Sequence, residues 1–194
     1  MTSDTCYAWD PGNCEGTAEC PPRCPRFVDK RGEPVLVEPY TPSRFEDLVS
    51  MYEGYPDTHR SMGLPPVGRD RIEDWLERLL ERGFTIIAVH DGNVVGHATY
   101  APRSSVEPQF VVFVDPAYHD RGIGSECCRH VIAYAADAGH EALKLDVDAA
   151  NERAVHVYKR MGFRVVDRQG GDLEMRLPFD EPIVETVRLP PARR

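Results

Sequence analysis

Residues 109–125 read Gln109-Phe-Val-Val-Phe-Val114-Asp-Pro-Ala-Tyr-His119-Asp-Arg-Gly122-Ile-Gly124-Ser125. Phe110 to Val114 is an unbroken apolar run of β-branched and aromatic residues, the pattern of a buried strand. Asp115-Pro116 ends it, because proline cannot donate to a ladder and disfavours helix in its predecessor. Gly122 and Gly124 then bracket Ile123 where a helix begins. A strand, a glycine loop and a helix N-terminus together suit an anion. The first helical N–H groups have no intrahelical partner, the helix dipole favours negative charge, and the missing β-carbons let a phosphate approach. Arg121, Gly122, Ile123, Gly124 and Ser125 are therefore candidates for a phosphate-bearing ligand.

Two other glycine motifs can be tested by spacing. A P-loop needs Lys followed by Ser or Thr after its last glycine, whereas Gly124 precedes Ser125-Glu-Cys127. A dinucleotide fingerprint wants a third small residue, where Cys127 stands. Asp146 lies near the position of a ribose acid, so that second motif stays open on spacing alone.

The chain of 194 residues suits one domain with an appendage. A net charge of −9 and the lack of a basic stripe disfavour a nucleic-acid partner. An acidic body promotes solubility, and it also suits cationic substrates such as amines or basic protein tails. No apolar stretch is long enough for a membrane span, and Met1-Thr-Ser-Asp-Thr-Cys6 lacks a basic segment followed by an apolar one. A cytoplasmic protein, monomeric or homodimeric and without a membrane partner, is the expectation.

Outward from the loop, residues 1–33 form a Cys- and Pro-rich N-terminal arm. Cys6, Cys14, Cys20 and Cys24 could make a thiolate site for zinc or iron, although the paired C-x-x-C knuckles of common zinc ribbons are absent, and loose thiols in an arm are the other reading. Val35 to Pro39 reads as a strand. Ser43 caps a helix carrying Phe45, Leu48, Val49 and Tyr52. Residues 53–66 form a long loop suited to substrate contact. Ile72, Trp75, Leu76, Leu79 and Leu80 give a second helix one apolar stripe, ended by Gly83. Strands at 84–90 and 94–100 join through Asp91-Gly-Asn93. Beyond the glycine loop come a helix to about Ala138, a strand at 142–147, a helix at 151–161, and a hairpin about Gly170-Gly171. Cys127 and Cys128 read as packing residues. The tail from Phe179 reads as loosely held. The order predicts an α/β fold, a mixed sheet with helices on both faces and one right-handed βαβ crossover.

A second motif, Asn151-Glu-Arg-Ala154-Val-His-Val-Tyr158-Lys-Arg-Met-Gly162-Phe163, narrows the reading. Asn151 can cap its helix and still present a side chain at the mouth. Tyr158, two turns on, shares that face. With His119-Asp-Arg-Gly122-Ile-Gly124, this motif resembles the GNAT superfamily of acetyl-CoA-dependent N-acetyltransferases over about residues 34–178, leaving 179–194 as a C-terminal tail. His119 departs from the usual arginine or glutamine.

The resemblance implies a mostly antiparallel central sheet with a splayed central strand pair. It implies acetyl-CoA as co-substrate, with Val112, Phe113 and Val114 pairing with the pantetheine arm. Residues 120–125 would cradle the pyrophosphate, and Asn151 would contact the pantetheine or the loop. Direct attack by a neutral amine in a ternary complex is expected, with Tyr158 as general acid and Glu107 or Asp146 as base. The acceptor would be a protein lysine, a protein N-terminus or a small amine; residues 51–66 and 174–177 faintly resemble Pat-type protein lysine acetyltransferases. A non-catalytic acetyl-CoA sensor or partner module is the alternative.

Overall fold

The computed structural model describes residues 9–56, 60 and 64–194. Its elements are β1 (Arg26–Val28), β2 (Pro34–Pro39), α1 (Phe45–Glu53), α2 (Arg69–Arg82), β3 (Phe84–His90), β4 (Asn93–Ala101) and β5 (Gln109–Val114). There follow α3 (Ile123–Asp137), β6 (Ala142–Asp148), α4 (Glu152–Arg160), β7 (Arg164–Gln169), β8 (Asp172–Pro178) and α5 (Pro182–Arg188). The strands form one eight-stranded sheet in the order β1-β2-β3-β4-β5-β6-β8-β7.

Every neighbouring pair is antiparallel except β5 and β6. Those two run parallel and share a single registered pair, Gln109 with Lys144, closed by Lys144 N–H donating to Pro108 C=O at 3.0 Å. Beyond it the strands part. The splayed pair expected from the sequence is thus present, with the glycine loop at its wide end.

Two apolar layers hold the sheet. On one face α1 and α2 bring Leu48, Val49, Tyr52, Ile72 and Leu76 against Ile87, Val89 and Val94. On the other, α3 packs Ile123, Cys127, Val131 and Ile132 against β2 to β8. Strand period decides which residues serve each layer. On β6 and β8, Leu143, Leu145, Val147, Leu173, Met175 and Leu177 are buried with α3. Lys144, Asp146, Glu174 and Arg176 alternate with them and are partly or fully exposed.

Local physics explains most boundaries. Asp91 and Gly92 both take positive φ, 48° and 80°, the geometry of a tight hairpin turn. Thr41, not Ser43, precedes the first helical turn, a short 3₁₀ segment at Pro42–Arg44, and Ser43 Oγ lies 3.0 Å from Thr41 Oγ1 instead of capping. Proline at the first helical position favours that earlier start.

The two ends of the chain depart from expectation. Val184 and Val187 of α5 are buried in the α3 layer, worth roughly 1.5–3 kcal/mol for each full side chain. The last segment is therefore a docked helix, not a loose tail. Residues 26–28 add a strand that no periodicity announces, since three residues are too few to show one. Cys6 lies outside the described residues. Among the described residues no group of three or more His, Cys, Asp or Glu converges, and Cys14, Cys20 and Cys24 form no disulfide. The structure therefore does not support the expected thiolate zinc site. Among the described residues, no helix is long and apolar enough to cross a membrane.

Candidate functional site: the glycine loop and the splayed strands

The first α-helical bond of α3 runs from Glu126 N–H to Gly122 C=O, 3.0 Å. The N–H groups of Ile123, Gly124 and Ser125 are therefore the helix's orphan donors. Gly122 adopts φ 90°, a conformation that costs other residues roughly 1–2 kcal/mol. Gly124 lies so close to the end of β5 that an added β-carbon would stand 3.3 Å from Val114. The Ile123 side chain is buried in the core, so its contribution to a ligand is its N–H alone. Asp120, at φ 62°, pairs across the mouth with Arg153 of α4 at 3.1 Å. His119 ties the loop to β5 through its Nε2, 3.0 Å from the Val114 carbonyl.

Arg121 departs from a phosphate-facing role. Its guanidinium is buried, donates to the Asp29 carboxylate, lies 3.3 Å from His90 Nε2 and stacks 4.6 Å from the Tyr118 ring centre. Burial raises the Asp29 carboxyl, but the Glu33 and Arg31 amides and Arg121 outweigh it and hold its pKa below the usual value. The side chain faces inward because a buried carboxylate needs a cation more than a solvated phosphate does. Only the Arg121 backbone remains available to the loop's ligand.

On β5 the ladder sorts the three predicted pantetheine contacts. Asp115 N–H donates to Val95 C=O. By antiparallel alternation, the backbone groups of Phe113 then face β4 and those of Val112 and Val114 face the gap. Phe113 instead sends its ring into an aromatic wall, 5.6 Å from Tyr52, 6.4 Å from Tyr55 and 5.7 Å from Trp75. His97 supports this wall from below. Its ring bridges the Tyr52 hydroxyl and Thr99 Oγ1, and burial lowers its pKa to about 3, so it is neutral. The wall was missed in sequence because Tyr52 and Trp75 read simply as helix stripes. Tyr55 also lines a cavity of about 470 Å³ with Glu53, Arg60 and Arg69, in the loop expected to meet substrate. Residues 57–59 and 61–63 of that loop lie outside the described residues.

Asn151 caps α4 as its spacing predicts, accepting from Ala154 N–H at 3.1 Å. Tyr158 lies edge-on to Phe110 at 5.8 Å and Phe163 at 5.9 Å. Burial and the nearby Cys128 push its phenol pKa up, which keeps the proton on. Cys127 and Cys128 are buried packing residues, with the Cys128 thiol pushed up to about 12 by desolvation. Glu107 is held by Arg176 at 2.6 Å and Lys144 at 3.2 Å. The Arg176 bond is the main cause of a pKa lowered to about 2, with burial opposing and Lys144 assisting. Such a carboxylate is a weak base with its oxygens already occupied. Asp146 is exposed beside the gap and accepts from the Gln109 amide.

An open parallel seam in an otherwise antiparallel sheet, with a helix N-terminus at its mouth, is the splayed α/β arrangement that the sequence resemblance implies. The chain belongs to the acetyltransferase (GNAT) family, whose model matches residues 46–163. A mycothiol acetyltransferase of Propionibacterium freudenreichii is 33% identical over 108 residues, covering 53% of this chain and 34% of that protein. The chain thus spans about a third of the length of that relative. The GNAT domain of S. lividans PAT superposes with a TM-score of 0.68 at 20% identity, covering 79% of this chain and 95% of the other. Salmonella typhimurium yncA, solved with acetyl-CoA, superposes at 0.61 and 19% identity, covering 76% and 95%.

Proposed function

We propose that this chain moves an acetyl group from acetyl-CoA to a primary amine by direct attack in a ternary complex. The observation that carries this reading is the gap between β5 and β6, open at the orphan N–H groups of Ile123, Gly124 and Ser125. The residues present fit the coenzyme. Gly122 and Gly124 leave room at the loop, and the gap-facing backbone of β5 offers a strand edge to a pantetheine chain. When bound, the coenzyme supplies an activated thioester.

The chain's own residues then do four things. The loop N–H groups hold the pyrophosphate. A gap-facing N–H of β5 stabilises the oxyanion. Tyr158, kept protonated by burial, delivers a proton to the leaving thiolate. Asp146 accepts the ammonium proton of the amine, directly or through water; Glu107 is set aside because its ion pairs lower its basicity. An amine with the ordinary lysine pKa of ~10.4 needs such help at neutral pH.

The acceptor is a protein lysine, a protein N-terminus or a small amine. Because the curated relative is a mycothiol acetyltransferase, the free-amine form of mycothiol belongs in the acceptor panel beside polyamines and lysine peptides. The test is amine-dependent release of free CoA thiol across that panel. Release above background with at least one acceptor is expected, and a flat panel would sink the enzymatic reading. CoA binding without turnover would instead favour a sensor.

A further inference from the structure

The turn joining β1 to β2 lies against the glycine loop, although more than ninety residues separate them. Two contacts fix it there. The buried Asp29–Arg121 ion pair spans 92 positions, and Lys30 N–H donates to Arg121 C=O at 3.0 Å. Within the turn, Asp29 also accepts from the Arg31 and Glu33 amides at 2.8 and 3.0 Å. The turn is thereby held at both its own ends and against the loop. Its next residue, Lys30, runs along Gly122. A β-carbon placed on Gly122 would lie 3.8 Å from both Cγ and Cε of Lys30. The lysine is exposed and makes no ion pair among the described residues.

We propose that Lys30 is a phosphate-contacting residue of the coenzyme A site, so that the N-terminal segment forms one wall of that site. This rests on the acetyl-CoA reading above. The loop's N–H groups satisfy oxygen lone pairs but bring only partial charge. Coenzyme A carries several full negative charges. An ammonium one bond beyond Cε, on a stem anchored over Gly122, supplies a compensating full charge without needing a fixed geometry. Arg121, the cation that sequence places in the loop, is occupied by Asp29 and cannot serve. Lys30 takes its place from a different part of the chain.

The test uses the full chain and its Lys30→Gln and Lys30→Glu variants. Titration calorimetry with coenzyme A should show binding weakened roughly threefold by the first and roughly tenfold by the second, as for an exposed ion pair lost and then reversed. Those ratios should shrink as salt is raised. With S-acetylpantetheine, which lacks the phosphates, kcat/KM should be the same in all three proteins. Because Lys30 is exposed, equal melting temperatures are expected and serve as the folding control. Equal coenzyme A affinity in the three proteins would overturn the proposal, as would an equal loss with S-acetylpantetheine. If the unaltered chain binds no coenzyme A, the acetyl-CoA reading itself fails, a result distinct from either of these.

Discussion

Two arginine–carboxylate pairs flank β5, Glu107–Arg176 before its start and Asp29–Arg121 beyond its end. The first has side chains 27% and 31% exposed, and Arg176 is joined there by Lys144. The second has side chains 0% and 7% exposed. Water decides what each can do. The exposed pair is screened and contributes little to stability. The buried pair must stay complete, because either partner alone would be an unsolvated charge. It therefore fixes the position of the loop it touches. One interaction type occupies a half-exposed carboxylate at one end of the strand and anchors a buried loop at the other.

The residue between these ends gives the largest test. Tyr158→Phe should lower kcat about 10²–10⁴-fold, the range of a lost general acid, while leaving coenzyme A affinity unchanged by calorimetry. A variant that turns over normally would reduce Tyr158 to a core residue. Next come the pairs themselves. Urea denaturation of Asp29→Ala should show a loss of about 3–5 kcal/mol, against less than about 1 kcal/mol for Glu107→Ala. Equal losses would erase the contrast.

Acid sharpens it further. His97 has a folded pKa of about 3 against an ordinary 6.5. Between those values the unfolded chain binds the proton and the folded one does not, so stability falls as pH falls, by at most about 1.4 kcal/mol for each pH step. A His97→Gln variant should show a flatter pH profile between 6.5 and 4; parallel profiles would show that His97 titrates normally. The smallest effect belongs to Glu107, whose folded pKa is about 2. Its contribution is complete above the ordinary carboxylate value of 4.5 and is lost as pH falls through 2. Wild type and Glu107→Gln should therefore differ slightly at pH 6 and converge near pH 2. A gap that widens in acid would have the wrong sign.

Much of the candidate site is legible in the sequence. The run Phe110 to Val114, the glycines at 122 and 124, and the cap at Asn151 each act within a few residues of themselves. Their consequences are strand, loop and helix start, all found where the spacing puts them. Less legible was the use of side chains whose partners lie far away. Arg121 looked like a phosphate ligand because nothing near it in sequence competes. Glu107 looked like a base because Arg176, 69 residues on, is invisible to spacing. Phe113 looked like its neighbours, although alternation along β5 separates it from them. The short strand at 26–28 and the docked α5 escaped notice because three- and seven-residue elements carry little periodicity.

The amino-acid sequence by itself determined the fold class, the glycine loop and the helix that faces it. Those depend on backbone geometry, glycine freedom and local hydrogen bonds, which are written residue by residue. Only the tertiary structure decided which charges remain free. It spends Arg121 on Asp29, ties Glu107 to Arg176 and Lys144, and leaves Lys30 beside the loop. Electrostatic roles are set by which ions meet and how much water separates them, and both are properties of the folded chain.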